Sequence, residues 1–183
     1  MYYTNHLLLA NPTAFSPQSI YNQSVIYIFY HGKDGAIGYV LNKHMQSPTK
    51  DEISKELKID VDVNKIYVGG DSDMRKGYVL HTTDYGTNGT SQINKDLSLT
   101  QGINILHDIQ RGTGPAQYQI QFGKLQWEAS RLDLEITTGS PVTNKPLWIP
   151  VKFNTKFLFN DRAWDDAMVE YATEQSQKLL SKY

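Results

Sequence analysis

His31, Asn42 and His81 are the side chains whose types could work together chemically, with Gly69-Gly70 as bare backbone beside them. His31 and His81 each close a stretch that reads as a strand. Asn42 follows a second strand, and the glycine pair follows a third. Strand ends meeting in one cleft would gather two imidazoles and an amide. Imidazole serves as acid, base or ligand near neutral pH, and such a set could orient a carbonyl or an anion and move a proton. The plainer reading gives each histidine a structural task at a strand end, because connections collect polar groups in any fold. No third metal ligand is in view, so no catalytic residue, metal site or cofactor is assigned.

Other motifs point away from familiar chemistry. Gly32-Lys33-Asp34-Gly35-Ala36-Ile37-Gly38 is glycine-rich, but a phosphate cradle needs different spacing and a following helix. Here a strand follows, so a hairpin turn is expected, with Gly38 where another backbone approaches closely. Asp71 and Asp73 lack the glycine and closing glutamate of a calcium loop. Asp133/Glu135 and Asp165-Asp166 sit on expected helices at spacings that do not face each other, and read as surface charge. Gly-x-Ser-x-Gly is absent, and cysteine is absent altogether, which removes disulfides, thiol catalysis and thiolate metal sites. Trp127, Trp148 and Trp164 read as core anchors.

The elements that must position these groups are legible in outline. The chain has 183 residues, enough for one domain or two merged lobes, and residues 1–183 are taken as a single domain. Leu7–Ala10 reads as a short buried strand ended by Pro12. Ser24–His31 is the strongest strand, apolar on both faces and therefore central, and Ala36–Leu41 completes a hairpin with it. Thr49 and Glu52 fit a capping box for a short helix ending near Lys58. Strands are expected at Ile66–Val68 and Gly77–His81, and an exposed loop at Asp84–Thr90. Thr100 reads as the cap of a helix ended by Gly112 to Pro115. Gln117–Phe122 alternates as a half-buried strand. Trp127–Ile136 reads as a helix, and Leu147–Val151 and Phe157–Phe159 as strands. Asn160 or Asp161 opens a last helix with Trp164, Met168, Tyr171, Ala172, Gln175 and Leu179 near one face. Strands and helices alternate irregularly, which favours α+β.

Charge limits the partners. Lys and Arg number 18 against 19 Asp and Glu, without the basic surplus that phosphate neutralisation needs, so direct nucleic-acid binding is not expected. No stretch approaches the roughly 20 apolar residues of a membrane helix. No basic segment precedes Leu7–Ala10, so no signal peptide is read and a cytoplasmic location is the default.

Read together, the segments resemble the YqgE/AlgH family. Leu7-Leu8-Leu9-Ala10-Asn11-Pro12 and Ser24–Tyr27 carry the start. His31 with Gly35-Ala36-Ile37-Gly38 and Asn42-Lys43 resembles the H-x3-G-A-x-G-x3-N-[KR] stretch. Val68-Gly69-Gly70 and Lys76-Gly77-Tyr78-Val79-Leu80-His81-Thr82 resemble the G-G and R-G-[FW]-x-L-H-T block. Gly123, Trp127, Leu132 and Glu135 resemble G-x3-W-x4-L-x2-E. Trp148-Ile149-Pro150, Leu158-Phe159 and Asp161–Trp164 complete the ordered series. His44 and Asp71 stand where the family usually has proline, and the loop from Thr137 to Pro146 is longer. The resemblance implies an α+β fold, a mixed β-sheet curled into a pseudo-barrel with helices packed outside. Some members are labelled transcriptional regulators, yet that fold has no helix-turn-helix. The implied role is a non-enzymatic regulatory or interaction protein acting through a protein partner or a small molecule. The alternative is a small-ligand binder or enzyme using a His31/Asn42/His81 cleft with Gly69 and Gly70, an idea that full burial of both imidazoles would count against. High Asn, Gln and Tyr usage is compatible with an AT-rich genome, a phage's included, and a phage setting would favour action on a host regulator.

Overall fold

The computed structural model describes residues 1–46, 50–139, 142 and 144–182. In chain order the strands are β1 (His6–Ala10), β2 (Val25–Gly32), β3 (Gly35–Val40), β4 (Ile66–Val68), β5 (Ser72–His81), β6 (Thr90–Gln92), β7 (Ser98–Gln101), β8 (Tyr118–Glu128) and β9 (Trp148–Lys152). The helices are α1 (Lys50–Leu57), α2 (Asn104–Gln110), α3 (Arg131–Thr137) and α4 (Ala163–Leu180). The α+β class expected from the sequence is present. Contacts divide the chain into two compact units, residues 1–42 with 126–183, and residues 43–125.

In the first unit the antiparallel strand order is β3-β2-β1-β9. β2 is rich in β-branched and aromatic residues, which fit a pleated, buried surface. Val25, Ile26, Tyr27 and Ile28 are fully buried between β1 and β3, the central position their two-sided apolarity implied. Gly35 opens β3 at a φ of +136°, and a Cβ there would lie 2.2 Å from the Trp127 carbonyl. At Gly38 a Cβ would come within 2.9 Å of the Tyr27 carbonyl. The glycine-rich stretch is therefore a hairpin set by close backbone approach. β9 pairs with β1 in the register Leu8↔Pro150, and Asn11 N–H extends the ladder by donating to the Leu147 carbonyl at 2.9 Å. α4 buries Ala163 and Ala167, and Trp164 Nε1 donates to the Ala10 carbonyl at 2.9 Å.

In the second unit the order is β6-β7-β5-β8, all antiparallel, while β4 runs parallel to β8, so the sheet is mixed. Ile53 of α1, Ile105 and Leu106 of α2, Ile66, Val79 and Ile120 form one apolar cluster. Burying such side chains contributes about 1.5–3 kcal/mol each.

Several element boundaries differ from the sequence reading. Thr100 is the middle of β7, paired with Val79, and α2 begins four residues later. β8 continues through Trp127 to Glu128, and only Arg131–Thr137 is helical. The break is at Ser130, held at a φ of +63°. Thr155–Phe157 is a turn of 3₁₀ helix where a strand was expected. The residue capping α4 is Arg162, without a side-chain bond, rather than Asn160 or Asp161; Asn160 stands just ahead of it, its Oδ1 accepting from Arg162 N–H at 2.9 Å. The Thr49/Glu52 capping box falls on Thr49, outside the described residues, as do Ser140, Pro141 and Thr143 of the long loop.

Candidate functional site

The end of β2 places His31 inside the first unit, 4% exposed. Its Nδ1 accepts the Tyr3 N–H at 3.1 Å, so the proton of the neutral ring is on Nε2. That nitrogen faces Asp133 Oδ2 of α3 at 3.5 Å. The Tyr3 ring lies nearly parallel to the imidazole, 11° off, and Tyr2 meets it edge-on. Thr4 Oγ1 accepts from His31 N–H at 2.8 Å, which is a backbone clamp. Among the described residues no hydroxyl bonds to the ring.

Asn42 stands just after β3 in the same unit. Its Oδ1 accepts from Val25 N–H at 2.9 Å and its Nδ2 donates to the Gln23 carbonyl at 2.9 Å. The side chain thus closes the open end of β2, and it shares no partner with His31.

His81 ends β5 in the second unit and is fully buried. Nδ1 lies 2.7 Å from the Thr82 carbonyl, which can only accept, so that nitrogen carries the proton. Nε2 therefore accepts from Thr100 Oγ1 at 2.7 Å. Thr100 Oγ1 contacts Thr90 Oγ1 at 2.7 Å, which in turn accepts Thr87 N–H at 3.0 Å. Burial pushes the imidazole pKa below its ordinary value, against the opposing pull of the Thr82 carbonyl and Asp84. Both ring nitrogens are engaged. Nearby, the Thr82 hydroxyl and Ala116 N–H hold the Asp84 carboxyl below the usual carboxylate range. These bonds anchor the start of the Asp84–Thr90 loop.

Gly69 and Gly70 lie after β4, against β8. A Cβ on Gly69 would be 2.3 Å from the Gly123 carbonyl, and one on Gly70 would be 2.2 Å from the Lys124 carbonyl carbon. Close packing of two backbones accounts for both glycines. Beside them is a residue that the sequence did not single out. Gln121 of β8 is fully buried, and among the described residues its amide oxygen and nitrogen have no partner. That oxygen would sit 3.3 Å from a Cβ on Gly69. The alternation of Gln117, Gln119 and Gln121 with apolar residues reads as a solvated face in the sequence, so nothing there signals that Gln121 is buried.

Glu135 of α3 corrects the reading of surface charge, although the W-x4-L-x2-E pattern contains it. It is buried, and its Oε2 accepts from both Trp127 Nε1 and Trp148 Nε1 at 2.8 Å. Oε1 takes Arg131 Nε at 2.9 Å. The carboxylate ties the end of β8, α3 and β9 together. Of the two departures from the resembled pattern, His44 bridges to Tyr67 and lies over its ring at 4.3 Å, and Asp71 is exposed.

The motifs that carry these contacts run in order from β1 to α4. A family model described as AlgH-like matches residues 7–176. The chain belongs to the AlgH-like family. A UPF0301 protein of Methylococcus capsulatus is 30% identical over 171 residues, covering 90% of this chain and 89% of its own. One from a Marinomonas species is 31% identical over 163 residues, with 86% and 81% covered. The solution structure of the AlgH protein from Pseudomonas aeruginosa superposes with a TM-score of 0.66 at 25% identity, covering 87% of this chain and 82% of that one. A crystal structure from Corynebacterium diphtheriae gives 0.66 at 17% identity, a likeness of fold, over 91% and 85% of the two chains. No helix among the described residues of this AlgH-like chain is long and apolar enough to cross a membrane.

Proposed function

We propose that this AlgH-like chain is a non-enzymatic regulatory or interaction protein, acting through a protein partner or a small ligand. The observation that carries the reading is α4. The helix has 18 residues, yet only Ala163 and Ala167 are buried. Val169, Leu179 and Leu180 are 68%, 61% and 77% exposed. An unpacked helix end is marginal in water, and large apolar side chains on it gain most from a partner's surface. Affinity capture from cell lysate on the immobilised chain tests this. A partner should be retained by the wild type and lost from Leu179→Glu/Leu180→Glu, with the circular dichroism of both chains alike. Equal retention by both would remove α4 from the argument.

Two observations favour the second reading, a small-ligand site or enzyme drawing on His31, Asn42, Gly69, Gly70 and His81. His31 faces a carboxylate that could orient it. The orphaned Gln121 amide beside Gly69 is what a small polar ligand would satisfy. Thermal shift against metabolites and metal ions decides it. A ligand that stabilises the wild type but not Gln121→Leu supports the reading. The burial of both imidazoles and the full engagement of His81 weigh against it.

A further inference from the structure

β9 ends the strand order of its unit, so one of its edges has no strand beside it. The ladder with β1 determines which groups face outward. Facing residues of an antiparallel pair alternate between bonded and non-bonded positions. Asn11 N–H bonds to the Leu147 carbonyl, and the register pairs Leu9 with Ile149 and Leu7 with Val151. Leu147, Ile149 and Val151 therefore bond to β1. Trp148, Pro150 and Lys152 turn their main-chain groups away from it. Pro150, with no N–H to give, occupies an outward position, where a proline is tolerated. Among the described residues nothing in the chain takes the Pro150 carbonyl or the Lys152 N–H and carbonyl.

A cavity of about 570 Å³ is lined by the end of β9 and by α4. One wall is the five successive residues Pro150 to Asn154. Pro150 and Lys152, whose main-chain groups face outward, are both in that wall. The other wall is one face of α4, with Ala167, Glu170, Tyr171, Glu174 and Lys178 at spacings of three and four. Phe153 and Phe157 give the trough an apolar surface. Glu170 is committed to an ion pair with Lys156. Lys152 and Lys178 have no carboxylate partner among the described residues, which leaves Glu174 alone against two free cations.

We propose that this trough takes an extended peptide segment of a partner protein, acidic with apolar neighbours, added as a strand to the outer edge of β9. The proposal rests on the interaction reading above and specifies the form of the partner. Main-chain pairing with Pro150 and Lys152 supplies affinity, and pockets for alternate side chains supply selectivity. Lys152 and Lys178 select an acidic residue, while the aromatic surface takes an apolar one. The donor missing at Pro150 leaves one position of the guest unbonded, which fixes its register. A second copy of this chain fits poorly. Pairing β9 with itself would put a proline on each edge and crowd Lys152 and Lys178 of both copies together.

The test uses the full chain. A phage-displayed library of random dodecamers is panned against it, and the selected peptides are measured by fluorescence anisotropy at physiological salt and by amide hydrogen exchange. The expected peptides carry an acidic residue between apolar ones, and saturation with them slows exchange of the Lys152 amide at least tenfold. Lys152→Pro deletes the outward N–H without touching a bond to β1, and should weaken binding at least tenfold. Lys152→Ala keeps the N–H and should lose about threefold, about 0.65 kcal/mol. Selection of no peptide overturns the proposal. So do peptides that bind and leave the Lys152 amide unprotected, and protection of that amide by self-association at raised concentration. Capture of a lysate partner that survives Lys152→Pro overturns this proposal while leaving the interaction reading intact.

Discussion

At the scale of residues, the polar groups with the strongest claim to chemistry are also those doing the most structural bonding. Glu135 is the clearest case. Two indole N–H groups converge on one of its oxygens and Arg131 on the other. Removing the carboxylate strands donors that are buried or half-buried. Glu135→Ala should cost about 2–4 kcal/mol in urea unfolding, and Glu135→Gln, which keeps an acceptor, about half of that. His81 makes a pH-dependent contribution with a definite sign. The unfolded chain takes up the proton near the ordinary value of 6.5, and the buried ring does so only at lower pH. Below 6.5 the unfolded state therefore binds more protons, and stability falls until the folded-state pKa is reached. Melting temperatures measured between pH 7 and 5 should drop more steeply in the wild type than in His81→Gln, whatever the absolute stability of the variant. Parallel slopes would show that another group carries the dependence. Residue identity was legible in the sequence at His31, Asn42 and His81, but partnership was not. The Thr100 hydroxyl that bonds His81 lies 19 residues away on another strand, a distance that no local pattern spans.

At the scale of elements, strands with two-sided apolar runs were read correctly, because β2 has little else it could be. The failures cluster where one local pattern serves two elements. Trp127 to Ile136 carries helical spacing, yet the first residues extend β8 and the rest form α3, because Trp127 must reach Glu135 across the Ser130 turn. Thr100 has the chemistry of a helix cap but is held in β7 by pairing with β5. Tertiary pairing outweighs a capping preference of about 1 kcal/mol. Gly69-Gly70 looked like bare backbone available to a ligand, and the approach of β8 explains the pair without one. That gives a test. Gly70→Ala would drive a Cβ to within 2.2–2.5 Å of the Lys124 and Leu125 main chain, which overpacking data put at about 1–3 kcal/mol of destabilisation. Gly86→Ala, with nothing within 4 Å, should stay within about 0.5 kcal/mol. Equal effects at the two positions would mean that Gly70 is not set by packing.

At the scale of the whole molecule, 18 basic residues stand against 19 acidic ones, and the ion pairs withdraw cations further. Lys76 and Lys124 share Asp73, Arg131 is held by Glu135, and Lys156 by Glu170. A DNA-binding chain needs cations that are free to displace condensed counterions, and six to ten phosphate contacts would make affinity fall about 10³–10⁵-fold between 50 and 200 mM salt. Here no surplus of cations over carboxylates supplies such a slope. On the reading proposed above, an effect on transcription passes through another protein or a ligand. A gel shift with the purified chain on promoter-length DNA should show no sequence-specific complex at physiological salt, and any band formed at low salt should vanish on moderate salt addition. A specific complex that persists would mean that the fold gathers its scattered cations onto one face, and the indirect route would have to be abandoned. The outcome bears equally on the trough beside β9. Its two free lysines are better matched to one acidic side chain of an extended peptide than to a run of phosphates, since they line one cavity and are accompanied there by Glu174.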